Sequence, residues 1–328
     1  MDKRKETAQG FSKKGDVFYG KGDFEKAVVN YKRAVALDPA NAGNHFGLGL
    51  AFYRRGDVGQ ALGCFKRTIR LVPTFFDAIY YTALCLEMEG KFVEAEKSYL
   101  KYLEENPDDV KAVNRLGLTY LKLHDSKNAR KYLEKALKEN GATQPTYFGL
   151  GFLKEIEGDL EGALSFYEKA SEIKSDSKGL WYQTGLCYRR LGKFEKALPC
   201  VERELSLFPK SVEALYLKGV IQLDLERFDD AVSSFNGVLK VDSGRPEAYV
   251  SRGNAYSLLG DFERAVDDYH SAIDADASYV PAYEALGVLF RLNGQFREAL
   301  DYYHSAYDVK SDERIKKIMD EIRIQMKV

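Results

Sequence analysis

Apolar residues in this chain recur at the three- and four-residue steps of amphipathic helices, and that pattern itself recurs every 34 residues. Ala8–Asn41 is the template. Copies begin at residues 42, 76, 110, 144, 178, 212, 246 and 280 with nothing inserted or deleted, and the ninth closes at Glu313. Place eight of the frame holds Gly15, Gly49, Ala83, Gly117, Gly151, Gly185, Gly219, Gly253 and Gly287. Place twenty is alanine throughout: Ala27, Ala61, Ala95, Ala129, Ala163, Ala197, Ala231, Ala265 and Ala299. Large rings accompany them, Phe18, Phe52, Tyr120, Tyr188, Tyr256 and Phe290 at place eleven, and Tyr31, Phe65, Tyr99, Tyr167, Phe235, Tyr269 and Tyr303 at place twenty-four. Small residues at fixed places let two helices approach closely while the rings fill the space beside them. Each frame therefore predicts two antiparallel helices, over roughly places one to fourteen and eighteen to thirty-one. The joint between them is Gly22-Asp23-Phe24, Gly260-Asp261-Phe262 or a variant, with glycine supplying the left-handed backbone that ends the first helix. His124 and Glu226 stand where that glycine should be. Each is expected to carry about 1 kcal/mol of backbone strain.

The frames use residues 8–313, as 8–41, 42–75, 76–109, 110–143, 144–177, 178–211, 212–245, 246–279 and 280–313. They leave a polar head, 1–7, and a tail, 314–328. In the tail Ile315, Ile318, Met319, Ile322 and Met326 form one apolar stripe, which predicts a helix that either lids the last frame or mediates self-association. Frame four departs most, with His124, Ser126 and Leu133 at the joint and core places and Asn140-Gly141 where frames one to three and six close on proline, so a looser joint is expected between Lys138 and Pro145. Pro199 falls about a turn into the second helix of frame six, where its missing amide is expected to matter little. Trp181 reads as a core residue, and the array as one solenoid without a domain boundary.

Charge narrows the function. With 49 basic and 50 acidic residues spread along the chain, the formal net charge is −1, so nucleic acid is not an expected partner. The head lacks an apolar run and no stretch reaches the length needed to span a bilayer, so no membrane association and a cytoplasmic location are expected. Cys64, Cys85, Cys187 and Cys200 show no Cys-x-x-Cys spacing and fall at helical core places, which suits free thiols acting as small hydrophobes. His45, His124, His270 and His304 are scattered, and the glycines form neither phosphate-cradling motif, so no metal, cofactor or catalytic residue is expected.

The 34-residue period, the Leu-Gly-x-x-Tyr core, the later alanine then an aromatic, and the closing proline of Asp38-Pro39 resemble the tetratricopeptide repeat. The resemblance covers nearly the whole chain. It implies an all-α solenoid, a right-handed superhelix of nine helix-turn-helix units with a capping helix, whose first helices line a groove through places two, five, nine, twelve and thirteen. It also implies a non-enzymatic protein-interaction role. At those and neighbouring places the candidate peptide-binding residues are Phe46, Tyr53, Tyr80, Asn114, Arg115, Phe148, Phe152, Tyr182, Arg189, Tyr216 and Asn254, with Phe148, Phe152, Tyr182 and Tyr216 as the expected anchors. Arg54, Lys111, Arg115, Lys122, Arg189 and Arg190 flank the strip against Glu87, Glu155 and Asp224, which would suit acidic residues around a partner's apolar anchors. Aromatic residues at place five are equally able to pack on neighbouring helices.

Two specialisations of the family fail on residues. The clamp that grips the acidic C-terminus of heat-shock chaperones needs Lys at place five and Asn at place nine of one frame, then Asn at place six of the next, and no window supplies them. The asparagine ladder of glycosyltransferase-associated repeats is absent, since place six reads Lys13, Gly47, Tyr81, Arg115, Gly149, Gln183, Leu217, Ser251 and Ala285. The expected function is a scaffold that binds a peptide segment or partner helix, as an assembly or chaperone adaptor. The alternatives are self-association through the end faces and the C-terminal helix, or a regulatory subunit of a separate enzyme.

Overall fold

In the computed structural model, which describes residues 3–139 and 141–326, the described residues form nineteen α-helices and no strand. Met1, Asp2, Asn140, Lys327 and Val328 lie outside them, so the outer ends of the head and tail and the Asn140 position of the fourth joint are not described further. The chain divides into two units, Met1–Glu157 and Gly158–Val328, and the division falls between the two helices of frame five.

Unit 1 contains α1 (Lys3–Gly20), α2 (Phe24–Leu37), α3 (Ala42–Arg55), α4 (Val58–Leu71), α5 (Phe76–Met88), α6 (Phe92–Glu105), α7 (Val110–Lys122), α8 (Ser126–Lys138) and α9 (Gln144–Ile156). Unit 2 contains α10 (Leu160–Ile173), α11 (Leu180–Arg190), α12 (Phe194–Leu207), α13 (Val212–Asp224), α14 (Phe228–Val241), α15 (Pro246–Leu258), α16 (Phe262–Ala275), α17 (Val280–Leu292), α18 (Phe296–Val309) and α19 (Glu313–Gln325). Within each unit a first helix packs on its own second helix, and that second helix packs on the next first helix. The second helices begin at place seventeen, one residue earlier than the pattern suggested. Lys3–Thr7, read as a separate head, continue α1 toward the N-terminus.

The repeating contact that builds each pair is now visible. All nine alanines at place twenty are 0% exposed. The ring at place twenty-four lies over the glycine at place eight, as Tyr31 does over Gly15, Phe65 over Gly49, Phe235 over Gly219, Tyr269 over Gly253 and Tyr303 over Gly287. A Cβ on Gly253 would sit 2.6 Å from Tyr269 Cε1. Frames that lack the ring keep the close approach with Leu133 over Gly117 and Val201 over Gly185.

Capping follows the joints. Asp23, Asp125, Asp159 and Asp261 each accept a hydrogen bond from the backbone amide three residues on, and so start α2, α8, α10 and α16. His124 and Glu226 both have φ of 58°, so they adopt the left-handed conformation that glycine holds in the other joints. The fourth joint is not left to turn chemistry alone. Asn114 Nδ2 donates to Thr143 Oγ1 at 3.0 Å, Thr146 Oγ1 donates to Asn114 Oδ1 at 3.1 Å, and the Thr143 amide donates to Thr146 Oγ1 at 3.0 Å. This buried knot ties α7 to the start of α9 where a closing proline is missing, so the described part of the joint is held rather than loose. Pro199 is the sixth residue of α12, beyond the four amides that lack an intrahelical acceptor. Its missing N–H leaves the Glu195 carbonyl without its helical donor, so the proline sits one turn deeper than the amide-free first turn that was expected to hold it.

Place twenty-seven, usually a small residue, admits Thr68, Tyr102 and Glu204. Tyr102 OH donates to Asp109 Oδ2 at 2.8 Å and steadies the N-cap of α7. Glu204, 1% exposed, accepts from the Gly179 amide at 2.7 Å through Oε1, so its carboxylate caps α11, whose own N-cap residue has no side chain. In unit 2, Arg252 grips the buried Asp268 with two bonds, Nε to Oδ2 at 2.8 Å and Nη2 to Oδ1 at 2.6 Å, and joins α15 to α16. The stripe of α19 is covered: Ile315, Met319 and Ile322 are buried with Ala299, Tyr303 and Ala306 of α18. The tail is therefore a lid, and among its described apolar residues only Ile324 and Met326 remain exposed.

Gly253→Ala should destabilise unit 2 by about 1–3 kcal/mol through overpacking, whereas Gly10→Ala, with nothing within 4 Å of the added methyl, should stabilise α1 by roughly 0.5–1 kcal/mol. Urea unfolding of both variants checks the contrast. His124→Gly should raise the protection of the α7 and α8 amides against hydrogen exchange by about 0.5–1 kcal/mol, because it relieves a strained φ; unchanged protection would remove strain as an account of that joint.

Candidate functional site

The expected site residues fall in both units, and each unit is described by itself. In unit 1 the first helices carry a continuous set of aromatic side chains. The ring of Phe46 lies 4.7 Å from Phe75 and 5.9 Å from Tyr81, Tyr81 lies 5.6 Å from Tyr53, and Tyr80 lies 5.7 Å from Tyr81 and 5.2 Å from Tyr102. Phe46, Tyr53, Tyr80 and Tyr81 are half-buried, so each packs along one side and presents the rest to solvent. Burial is the main reason that the phenols of Tyr53, Tyr80 and Tyr81 are pushed above their ordinary range, and the Arg115 guanidinium pulls Tyr53 and Tyr80 back.

Arg115 is exposed on α7, with Nη1 3.3 Å from Glu87 Oε1. Burial lowers its tendency to hold a proton, but Glu87 and the neighbouring tyrosines more than offset this, so the guanidinium stays charged. The other oxygen of Glu87 accepts from Tyr99 OH at 2.8 Å. A hollow of ≈ 540 Å³ opens beside it, lined by Tyr80, Lys111, Asn114, Arg115, Leu118 and the loop before α9. Asn114 is buried and its amide is spent on the threonine knot, so it shapes the floor rather than reaching for a ligand. Phe148 and Phe152 lie half-buried on α9.

Unit 2 places its expected residues differently. Tyr182 packs on a cluster of Ala197, Leu198, Val201 and Leu217, and Tyr216 lies 5.6 Å from Phe235 with its hydroxyl 3.0 Å from Ser251 Oγ. Both serve packing between helices, which is the other role open to aromatics at place five. Arg189 Nε donates to Asp224 Oδ2 at 2.5 Å. Asn254 is exposed, and its Oδ1 accepts from the hydroxyl of the core residue Tyr269 at 2.7 Å. Tyr31 makes the equivalent bond to Asp16 at 2.6 Å. In these two frames the polar residue at place nine accepts from the tyrosine at place twenty-four, whereas the frames of Tyr99, Tyr167 and Tyr303 carry Leu84, Phe152 and Val288 at place nine.

The apolar surface of unit 2 lies toward α15 and α17. Leu258 is 59% exposed, Val288 47% and Leu292 77%, and with Leu223, Val250, Asn254 and Ala285 they border a hollow of ≈ 590 Å³. Reading by the fifth and ninth places alone passed over Leu258 and Leu292. Both occupy place thirteen, and tabulating that column would have shown them.

The side chains offer little covalent or metal chemistry. Among the described residues no group of three His, Cys, Asp or Glu could hold a metal ion, and all four cysteines are free thiols. Burial pushes the Cys64 and Cys200 thiols up to about 11 and Cys85 up to about 12. No helix of the described residues is long and apolar enough to cross a membrane.

Comparison with known proteins agrees with this architecture. A family model described as TPR repeat matches residues 15–56, and two described as tetratricopeptide repeat match residues 48–110 and 250–313, and 98–131. A fourth, for subunit 3 of the anaphase-promoting complex or cyclosome, matches residues 157–238. Among solved structures, the C-terminal part of a TPR repeat-containing protein from Cytophaga hutchinsonii is 17% identical, covering 73% of this chain and 98% of that one, with a TM-score of 0.58. The hetero-tetramer Cut9–Hcn1 of the anaphase-promoting complex is 14% identical over 96% of this chain and 76% of that one, with a TM-score of 0.57. YrrB, described as a TPR protein with an unusual peptide-binding site, is 24% identical over 57% of this chain and 96% of that one, with a TM-score of 0.51. At these identities the likeness is one of fold. The chain belongs to the tetratricopeptide repeat family, a class of all-α helical-repeat proteins that serve in general as protein-interaction scaffolds.

The raised thiols make part of the stability depend on alkaline pH. A thiol whose folded pKa lies above its unfolded value stabilises the fold fully below the unfolded pKa and loses that contribution as pH rises through the folded one. The contribution of Cys64, Cys85 and Cys200 is therefore intact below about pH 9, the ordinary thiol value, and lost toward about 11 to 12. The melting temperature should stay level up to pH 9 and then fall, and the native chain at pH 8 should react with a thiol reagent far more slowly than the urea-unfolded chain. Equal reaction rates would mean that these thiols are not buried.

Proposed function

We infer that the chain is a non-catalytic scaffold whose nine 34-residue frames serve as repeats, and whose first helices hold a segment of a partner protein. The observation that carries this reading is the exposed apolar face of unit 2, where Leu258, Val288 and Leu292 stand open to solvent around a hollow. Single exposed apolar residues are common, but a contiguous set beside a concavity marks a place where another molecule excludes water. The aromatic set of unit 1, with Tyr53 and Tyr80 half-exposed beside Arg115, supports the same role. A peptide as the bound species accords with the peptide-binding site named for YrrB. The mechanism is preorganisation: helices already fixed by the alanine and glycine contacts lose little freedom when a segment docks, so more of the contact energy appears as affinity. Four free thiols suit a reducing compartment such as the cytoplasm. Self-association through α19 gains no support, because its stripe already covers α18.

A displayed library of random peptides panned on the whole chain should enrich binders whose affinity falls at least about tenfold, or about 1.4 kcal/mol, on Leu258→Glu with Leu292→Glu or on Tyr53→Ala with Tyr80→Ala. Val93→Glu, at an exposed position on the second helix α6, should leave them unchanged. Failure to enrich any peptide, or binders indifferent to all the first-helix substitutions, would overturn the scaffold reading.

A further inference from the structure

The second helices α10 and α12 flank α11 and leave a hollow of ≈ 520 Å³ between them. From α11 it takes Trp181, Thr184 and Tyr188, at places four, seven and eleven. It therefore lies on the side of the second helices and uses none of the groove places of α11. Two small side chains leave the space unfilled. Place twenty-eight is Ser171 here, whereas the other eight frames carry Val, Ile, Leu or Tyr, and Thr184 stands where Leu48, Leu116, Leu150 and Leu286 occur in four other frames. A side chain missing from a packed interface leaves room that its neighbours close only in part. Trp181, read from the sequence as a core residue, is half-buried, and its Nε1 donates to the Ser175 carbonyl at 2.6 Å, which fixes the indole where it lines the hollow.

The walls carry charge of both signs. Where α10 and α12 begin, Lys193 Nζ reaches across to Glu161 Oε1 at 3.1 Å and bars that end of the hollow. Further along, Glu168 on the α10 wall and Lys196 on the α12 wall have no ion-pair partner among the described residues. The lining thus holds two carboxylates and two ammonium groups. A ligand with a single charge meets like charge as well as opposite, whereas one with both charges can set each against its complement. The volume lies within the roughly 300–1,000 Å³ of small-molecule sites, which likewise combine rings with a small number of polar groups. An extended polypeptide cannot run the length of the hollow past the Glu161–Lys193 bar, but a compact molecule can enter from the open side.

We propose that this hollow binds a free aromatic amino acid, with its ring against Trp181 and Tyr188, its ammonium at Glu168 and its carboxylate at Lys196. Ring-on-ring contact supplies the burial, and the two charge-assisted bonds set the orientation. The site lies apart from the first-helix surfaces and goes beyond the scaffold reading, because it adds a small-molecule ligand to a protein-binding chain.

The chain's only tryptophan lines the site, so its emission, excited where tyrosine stays dark, reports occupancy. L-Phenylalanine added to the full chain should change that emission saturably, with a Kd on the order of a millimolar or tighter, and isothermal titration calorimetry should return the same constant. L-Phenylalaninamide, which lacks the carboxylate, N-acetyl-L-phenylalanine, which lacks the ammonium, and L-leucine, which lacks the ring, should each bind at least about tenfold more weakly. Ser171→Leu gives frame five the leucine that four other frames carry, so it should fold as stably as the parent and abolish binding. Glu168→Gln with Lys196→Gln, both at exposed positions, should remove the advantage of phenylalanine over its amide and acetyl derivatives. Absence of saturable binding by either method up to roughly 20 mM, equal affinity for the three phenylalanine compounds, or binding that survives Ser171→Leu in a folded chain would each overturn the proposal. Leu258→Glu with Leu292→Glu should leave phenylalanine binding unchanged, and Ser171→Leu should leave the panned peptides bound, so failure here and failure of the scaffold reading are told apart.

Discussion

The structure depends on how closely two helices can approach within each pair. At place eight the first helix offers bare backbone, and the ring or branched side chain at place twenty-four of the second helix lies directly on it. In the glycine-containing pairs within each unit, a methyl group added at that backbone would come within 2.6 to 2.8 Å of the covering side chain. From the other side the alanine at place twenty is fully enclosed in every frame. Together these contacts leave no room for side-chain size to vary, which is why the columns are uniform and why capping, joint geometry and the next helix's position follow from them. Frame three accepts Ala83 at place eight, and the frames with Leu133 or Val201 meet glycine with a smaller branched chain. The constraint is thus a volume shared between two places rather than the identity of either.

Once the paired helices are fixed, the frame's departures carry the particular character of the protein. Some repair the fold. Asn114, Thr143 and Thr146 replace a missing closing proline by a buried hydrogen-bonded knot, Glu204 reaches across from α12 to cap α11, and Arg252 with Asp268 pins α15 to α16. Others have no structural use within the described residues. Lys111, Lys122 and Arg54 lack carboxylate partners among the described residues, and Leu258, Val288 and Leu292 keep 59%, 47% and 77% of their surface exposed. Burial and pairing separate the two kinds: a departure satisfied inside the chain belongs to its stability, whereas one left open to solvent is available to a partner.

The paired helices of each frame, the left-handed joints at His124 and Glu226, and the amphipathic helix of the tail were legible in the sequence because each rests on local periodicity or on one residue's conformational limits. The site was legible only in part. Tyr80 and Arg115 line an open hollow, while Asn114 is engaged in the knot, Tyr182 and Tyr216 pack half-buried against neighbouring helices, and Asn254 accepts from the hydroxyl of Tyr269. A column of side chains says which residues share a helix face. It does not say which of them a residue some fifteen or thirty positions away has already engaged.

By itself, the sequence determined the period, the pairing of helices and the residues at which they touch, because a fixed spacing of small and large side chains admits a single close packing. Only the tertiary structure decided which polar and aromatic side chains remain unspent, since hydrogen bonds between helices, such as Tyr31 to Asp16 and Tyr99 to Glu87, depend on reach and burial that spacing does not encode. It also showed open apolar surface in unit 2 at Leu258, Val288 and Leu292, while Tyr182 and Tyr216 lie half-buried against neighbouring helices.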